Sequence, residues 1–291
     1  SSTHDAASTL SLDRANRYQG TTLIEGTGQA HNVTVNTSQT GTFGSNASST
    51  VSVTKGAALN VSGAATSLQS LTMEFTDSLL TLKDTVTAAD ATLNLNGTAK
   101  ALIADNATAG QSTINVSETS TLALEEDASG GSATVTNSGL MSFADRALAQ
   151  MTTVKNLSGG RVDISHVDSA TSVGSLSGAG NVELGDKILS LGNLGLNDTI
   201  SGIISGDSGN LVKIGDGILT LTGDNTWTGT TSVDEGVLLV NGNQAAATGG
   251  DARQLVGYLV SDSGLPLDTA ALRARLAEQL PPHMVPVVLM Q

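Results

Sequence analysis

The residues that could do chemistry are few, and their spacing assembles none of them into a reactive group. Gly206-Asp207-Ser208-Gly209 sets a serine among glycines. A serine nucleophile also needs a histidine base and a carboxylate to orient that base. His166 is the histidine nearest to it along the chain, and the residues around both are short strand-like repeats. A glycine-rich turn between strands is the expected role of Ser208. His4, His31, His166 and His283 lack the spacing of metal ligands, and the chain has no cysteine. The acidic runs Glu125-Glu126-Asp127 and Asp234-Glu235 read as solvated turns, and Lys55, Lys83, Lys100, Lys155, Lys187 and Lys213 are spread along the sequence. Gly26-Thr27-Gly28 and Gly215-Asp216-Gly217 also read as turns, since no helix follows either to complete a phosphate-binding loop. No catalytic residue, cofactor site or metal site is expected.

Composition narrows the partners. The chain has 291 residues, long enough for a sizeable core. With 27 acidic against 13 basic residues its net charge is −14, which repels phosphate backbones and argues against nucleic acid. Aromatic residues make up only 2% and charged residues 14%, so the core must be aliphatic and thin. No apolar run is long enough to cross a bilayer as a helix. The opening SSTHDAASTLSLDRANRYQG has no signal-peptide pattern, so the expectation is a removed signal or a start inside a larger protein.

The elements that must carry this composition are short strands. Val33-Thr34-Val35, Val51-Ser52-Val53, Leu93-Asn94-Leu95 and Leu122-Ala123-Leu124 alternate apolar and polar residues, the pattern of a strand with one buried face. They also recur at a longer period. One ladder runs Val51, Leu71, Leu93, Ile114, Val135, Leu157, and another runs Val61, Leu82, Ile103, Leu124, Phe143, Ile164, Leu184. Steps of about 20–22 residues describe the coils of a right-handed parallel β-helix, each coil stacking its aliphatic residues on the next. Such a core leaves little room for aromatics, and interior ladder hydrogen bonds exclude proline. One segment, Met141–Val154, has helix-like spacing and reads as a helical excursion or an irregular rung.

Proline marks a boundary. Pro266, Pro281, Pro282 and Pro286 all lie near the C-terminus. The reading is therefore a β-helix over residues 1–244, a linker over 245–252, and a small α/β appendage over 253–291.

Residues 215–242 read GDGILTLTGDNTWTGTTSVDEGVLLVNG. They resemble the passenger-associated strand repeat of bacterial autotransporters, through Gly217, Leu219, Leu221, Gly223, Asn225, Thr226, Gly229, Val233, Gly236 and Leu238. Trp227 stands where that family usually has tyrosine, and is expected to cover one end of the stacked core. Gly223 and Gly229 are expected to permit left-handed or close backbone turns. A looser likeness extends over most of residues 20–244. The resemblance implies a cell-surface or secreted stalk of a Gram-negative bacterium, often an adhesin, binding host surface molecules or like chains through extended faces. It also implies a translocator β-barrel, which this sequence lacks. Absence of cysteine suits secretion by that route.

The tail is similar to something else. RQLVGYLVSDSGLPLDTAALRARLAEQLPPHMVPVVLMQ predicts a strand at Leu255–Val260, a helix capped by Asp268 or Thr269 and carrying Leu272, Leu276 and Leu280, and a strand at Val285–Met290. Leu255-Val256-Gly257-Tyr258, Leu280-Pro281 and Met284-Val285-Pro286 resemble the C-terminal subdomain of nonribosomal peptide synthetase adenylation domains, with His283 where tyrosine or histidine is common. That family's catalytic lysine follows this segment, so no adenylation is expected. The leading expectation is a non-enzymatic passenger stalk. Its rivals are a carbohydrate-active β-helix enzyme, which would need carboxylates clustered in a groove, and an inactive chimera carrying a synthetase remnant.

Overall fold

The computed structural model describes residues 8–16, 20–28, 33–43, 49–64, 66–241, 256–259, 268–279 and 288–290. Short strands dominate because threonine and asparagine alternate with leucine, isoleucine and valine. In Thr92–Asn96 the two leucines are buried and the polar residues lie outside. The strands stack as a parallel β-helix whose coils contribute to a 10-stranded sheet, an 11-stranded sheet and, at the C-terminal end, a 5-stranded sheet.

Register follows the buried rows. Val51, Met73, Leu93, Ile114, Val135 and Val154 are successive partners in the 11-stranded sheet. Val61, Leu82, Ile103, Leu124 and Phe143 are partners in the 10-stranded one. The second ladder expected from sequence is thus present as far as Phe143, beyond which the register shifts and Ile164 and Leu184 are buried without being paired in that row. The first needs correcting at two places. Met73 takes the position expected for Leu71, and Val154 that expected for Leu157. Leu71 is buried just before its strand, and spacing alone cannot separate such a neighbour from the true partner.

Three corners close each regular coil; at the first Lys55, Asp77 and Gly97 are left-handed, and the second and third hold that conformation by different devices. At the second corner Asp84, Asp105, Glu126 and Asp145 have φ of 58°, 54°, 59° and 55°. The amide of each of the first three donates to the carboxylate of the next, at 2.9, 2.6 and 3.0 Å, and Gly63 donates to Asp84 at 2.6 Å. The acidic side chains are therefore tied into the coil below. The Asp84 amide holds the Asp105 carboxyl below the ordinary carboxylate range, as the Thr98 amide and hydroxyl do for Asp77.

The third corner repeats a hydroxyl turn. Ser67, Thr87, Thr108 and Ser129 each accept, through the side chain, the amide two residues on, at 3.0–3.1 Å. These four residues are themselves joined rung to rung by single β-bridges, continuing to Leu148. The wall here is one residue wide, so periodicity in apolar residues does not reveal it. Alanine completes the corners. The amides of Ala57, Ala91, Ala99, Ala107, Ala128, Ala133 and Ala147 each close a turn on the carbonyl three residues earlier, with the methyl group at most 1% exposed.

The core is less restrictive than its aromatic-poor composition implies. All three phenylalanines, Phe43, Phe75 and Phe143, are buried in it. Asparagine enters as well. Asn137 donates to Asn156 Oδ1 at 2.8 Å, and Asn156 donates to the Asn181 carbonyl at 3.0 Å. The Met141–Val154 segment forms strands Leu140–Asp145 and Ala149–Asn156 with register shifts to the following coil. It is an irregular rung without a helix.

In the tail, strand Val256–Leu259 pairs antiparallel with Val237–Val240, and Val288–Met290 adds parallel to it. Helix Thr269–Gln279 is capped by Asp268, whose carboxylate accepts the Ala271 amide at 2.9 Å. Leu272 and Leu276 form its half-buried stripe. Leu255, Val260 and Leu280, the linker over 245–252, and His4, His31 and His283 lie outside the described residues.

Gly131 offers a direct test of corner stacking. Its φ is +55°, and a Cβ there would collide with the carbonyl oxygen of Gly110 one rung below. Gly131→Ala is expected to destabilise the chain by about 1–3 kcal/mol from backbone conformation alone, and further from the collision. Urea unfolding followed by circular dichroism measures it, and an unchanged midpoint would contradict the stacked corner.

Candidate functional site

Ser208 and His166, weighed in the sequence as a nucleophile and its base and expected to be neither, lie on different elements. Ser208 sits in a bend with φ of 65°, its amide donating to Thr228 Oγ1 at 2.9 Å. His166 lies on strand Arg161–Val167, two strands away in the stack, and its Nδ1 meets Ser165 Oγ at 3.0 Å. Sequence reading did not single out Asp163-Ser165-His166, where Ser165 Oγ donates to Asp163 Oδ1 at 2.7 Å. The hydroxyl proton is thus committed to the carboxylate, leaving the imidazole as donor, an arrangement that does not activate the serine. Asp163 also accepts Arg161 Nη2 at 2.6 Å. Among the described residues no three His, Cys, Asp or Glu side chains are placed to hold a metal ion.

The densest unusual chemistry lies instead where the β-helix approaches its C-terminal end. Strand Asn210–Lys213 turns Leu211 and Lys213 inward, so Lys213 occupies the row shared by Leu191 and Val233. Its side chain is wholly buried. The ammonium donates to the carbonyls of Ile214 at 2.7 Å, Gly215 at 2.5 Å and Glu235 at 3.3 Å. Two successive turns thus share one cation. Three donor protons meet three carbonyls, which is why the charge is tolerated here. Glycine makes room for it, since a Cβ on Gly236 would stand 2.8 Å from Nζ and one on Gly192 would stand 3.2 Å away. Burial pushes the lysine pKa down, and the charges of Glu235, Asp198 and Asp216 oppose that. Sequence reading grouped Lys213 with the scattered lysines, and its place in an aliphatic row between Leu211 and Gly215 was the available signal.

Asp198 faces inward from the neighbouring sheet, in register with Leu219. It accepts Ser175 Oγ at 2.8 Å and the Leu176 amide at 3.3 Å. Burial pushes its carboxyl up from 3.8, while those two hydrogen bonds and the Lys213 charge pull it back.

Around this pair the repeat residues have distinct positions. Leu219, Leu221 and Leu238 are buried, Val233 packs half-buried against the core, and Asn225 accepts the Ile204 amide at 2.8 Å through Oδ1. Gly217, Gly223 and Gly229 are sites of close approach. A Cβ on them would collide with the carbonyl oxygens of Leu196, Gly202 and Gly209 respectively. Positive φ falls elsewhere, at Gly215 and Gly236 with 72° and 75°. Close approach to the rung below is therefore the role of Gly223 and Gly229, and left-handed backbone is not. Trp227 is half-buried against the core and donates Nε1 to Thr231 Oγ1 at 3.1 Å.

The pH profile tests the interior placement of Asp198. With its folded pKa raised, the native state keeps a proton that the unfolded chain has released. This contribution is present below the ordinary carboxylate range and is lost as pH rises through the folded pKa. Asp198→Asn is expected to remove that fall and to be at least as stable as the parent at pH 7. Melting temperatures of both proteins between pH 4 and 8 decide it, and parallel profiles would contradict the burial.

Comparison with known proteins finds two separate similarities. Residues 211–240 match the family described as passenger-associated-transport-repeat. Enterobactin synthase component F of Shigella flexneri and that of Escherichia coli (strain K12) are each 86% identical to this chain over 49 residues, 17% of the chain. The component F of Escherichia coli O157:H7 is 84% identical over the same length. The chain spans 4% of the length of these synthases. No solved structure matches it. The β-helix thus carries at residues 211–240 a passenger-associated-transport-repeat, which implies an autotransporter passenger context, and the chain includes a short synthase-like fragment.

Proposed function

We propose that the chain is a cell-surface or secreted passenger stalk that binds through its extended faces and catalyses no reaction. One observation carries this reading. Thr50, Thr72, Thr92, Thr113, Thr134 and Thr153 stand in register on the outer side of the 11-stranded sheet. Beside them run Ser52, Glu74, Asn94, Asn115, Thr136 and Lys155. Amides link part of this second row, with Asn115 donating to Asn94 at 2.7 Å and Asn94 to Glu74 at 2.5 Å. Strand neighbours are about 4.8 Å apart, so the rows form a grid of hydroxyls and amides at a fixed repeat. A grid of that kind suits adhesion to a repeating polar surface better than enclosure of one substrate molecule.

Several carboxylates that a glycan-cleaving enzyme would need are engaged elsewhere. Asp84, Asp105, Glu126 and Asp145 accept backbone amides at the second corner, and Asp127 pairs with Arg146 at 2.6 Å. The reading accordingly assigns the acidic residues to structure. Host surface molecules or like chains are the partners it implies.

Bacteria displaying the chain should adhere to an epithelial monolayer in a manner that depends on this grid. Replacing Thr92, Asn94, Thr113 and Asn115 together by alanine is expected to reduce attachment several-fold while leaving circular dichroism and surface expression unchanged. Undiminished attachment, or release of sugars from a polysaccharide panel by the purified chain, would overturn the reading.

A further inference from the structure

The 5-stranded sheet changes direction at its end. Asp198–Ile200, Ile218–Leu221 and Val237–Val240 are parallel neighbours from successive coils. The next strand, Val256–Leu259, runs antiparallel, with Val237, Leu238, Leu239 and Val240 opposite Leu259, Tyr258, Gly257 and Val256. A reversed strand cannot be the start of another coil in the same sense, because every coil in the stack joins its neighbours in parallel.

The three C-terminal sheet edges differ in their need for cover. The 10-stranded sheet ends on Ile204–Ser205, two residues long. The 11-stranded sheet ends on Thr231–Val233, three residues long and followed directly by Asp234 and Glu235. Shortness and charge are the usual protections of an edge. Val237–Val240 is longer than either, at four residues, and carries no charge. It is a run of Val-Leu-Leu-Val that buries Leu238 and Val240 and leaves Val237 and Leu239 half-buried, beside the exposed Ile218. An edge of this composition is a template for pairing with other chains.

We propose that Val237–Val240 is a strand-docking edge and that the tail occupies it in cis. Val256–Leu259 acts there as a plug that stops the β-helix from growing edge to edge. The occupant fits by backbone pairing over four consecutive residue pairs without a bulge. The plug gives the synthase-like tail a physical role that needs none of the chemistry of its relatives.

The test uses the full chain carrying Val256→Pro and Gly257→Pro together. Adjacent residues of a strand bond to opposite neighbours, so the pair removes an amide facing Val237–Val240 whichever phase holds. Sedimentation velocity over a range of concentrations should show the variant assembling into species at least several-fold larger than the parent. A synthetic peptide of residues 253–262 added in excess, or Leu239→Lys in the same variant, should suppress that assembly. Sedimentation identical to the parent would overturn the proposal. So would assembly that neither the peptide nor the edge lysine suppresses, because that result comes from unfolding.

Discussion

Each coil must return to the same place before it can stack, and that closure is the constraint on which the rest of the molecule depends. A parallel ladder offers no hairpin to set its register, so successive corners must fall directly over one another. Here the corners are fixed by left-handed residues whose amides and carboxylates bond between coils, by hydroxyl turns, and by buried alanine methyl groups. Serine, threonine, alanine, aspartate and glycine serve those three devices. The aliphatic rows fill what the corners enclose.

How much of this could be read beforehand depends on the residue. Rows of valine, leucine and isoleucine at about 21-residue intervals state the coil length directly, and the Leu82–Ile103–Leu124 row is as the spacing indicates. Period alone misjudged Leu71 and Leu157, because an apolar residue two or three positions from the true partner satisfies the same spacing. The third wall escaped for a different reason. Its signal is Ser67, Thr87, Thr108 and Ser129, polar residues that an apolar search ignores. Lys213 escaped because lysine is ordinarily a surface residue, and only the carbonyls of Ile214, Gly215 and Glu235 make its burial tolerable. For glycine the sequence left two purposes open, left-handed backbone or close approach, and the structure selects the second at Gly223 and Gly229. Gly223 and Gly229 matter for closeness to the rung below, while the positive φ lies at Gly215 and Gly236.

The C-terminal end departs from the pattern of the earlier coils. Aliphatic rows give way to a buried ammonium and a buried carboxylate, Lys213 and Asp198, that meet backbone and hydroxyl partners in place of each other. Interior charge in such a setting adds little net stability, but removing its partners is costly. These two groups lie within and beside the residues that match the passenger repeat.

Residue-resolved amide hydrogen exchange tests the closure most directly. Thr87, Thr108 and Ser129 lie in what an isolated reading of the sequence would take for surface loops. In the closed coil their amides bond to the carbonyls of Thr66, Val86 and Ala107 at 2.9, 2.8 and 2.9 Å. They should exchange as slowly as the strand amides of Leu93 and Ile114, opening only with the coil as a unit. Exchange at the rate of unprotected peptide, with the strands still protected, would mean that the third wall is open and would contradict the account.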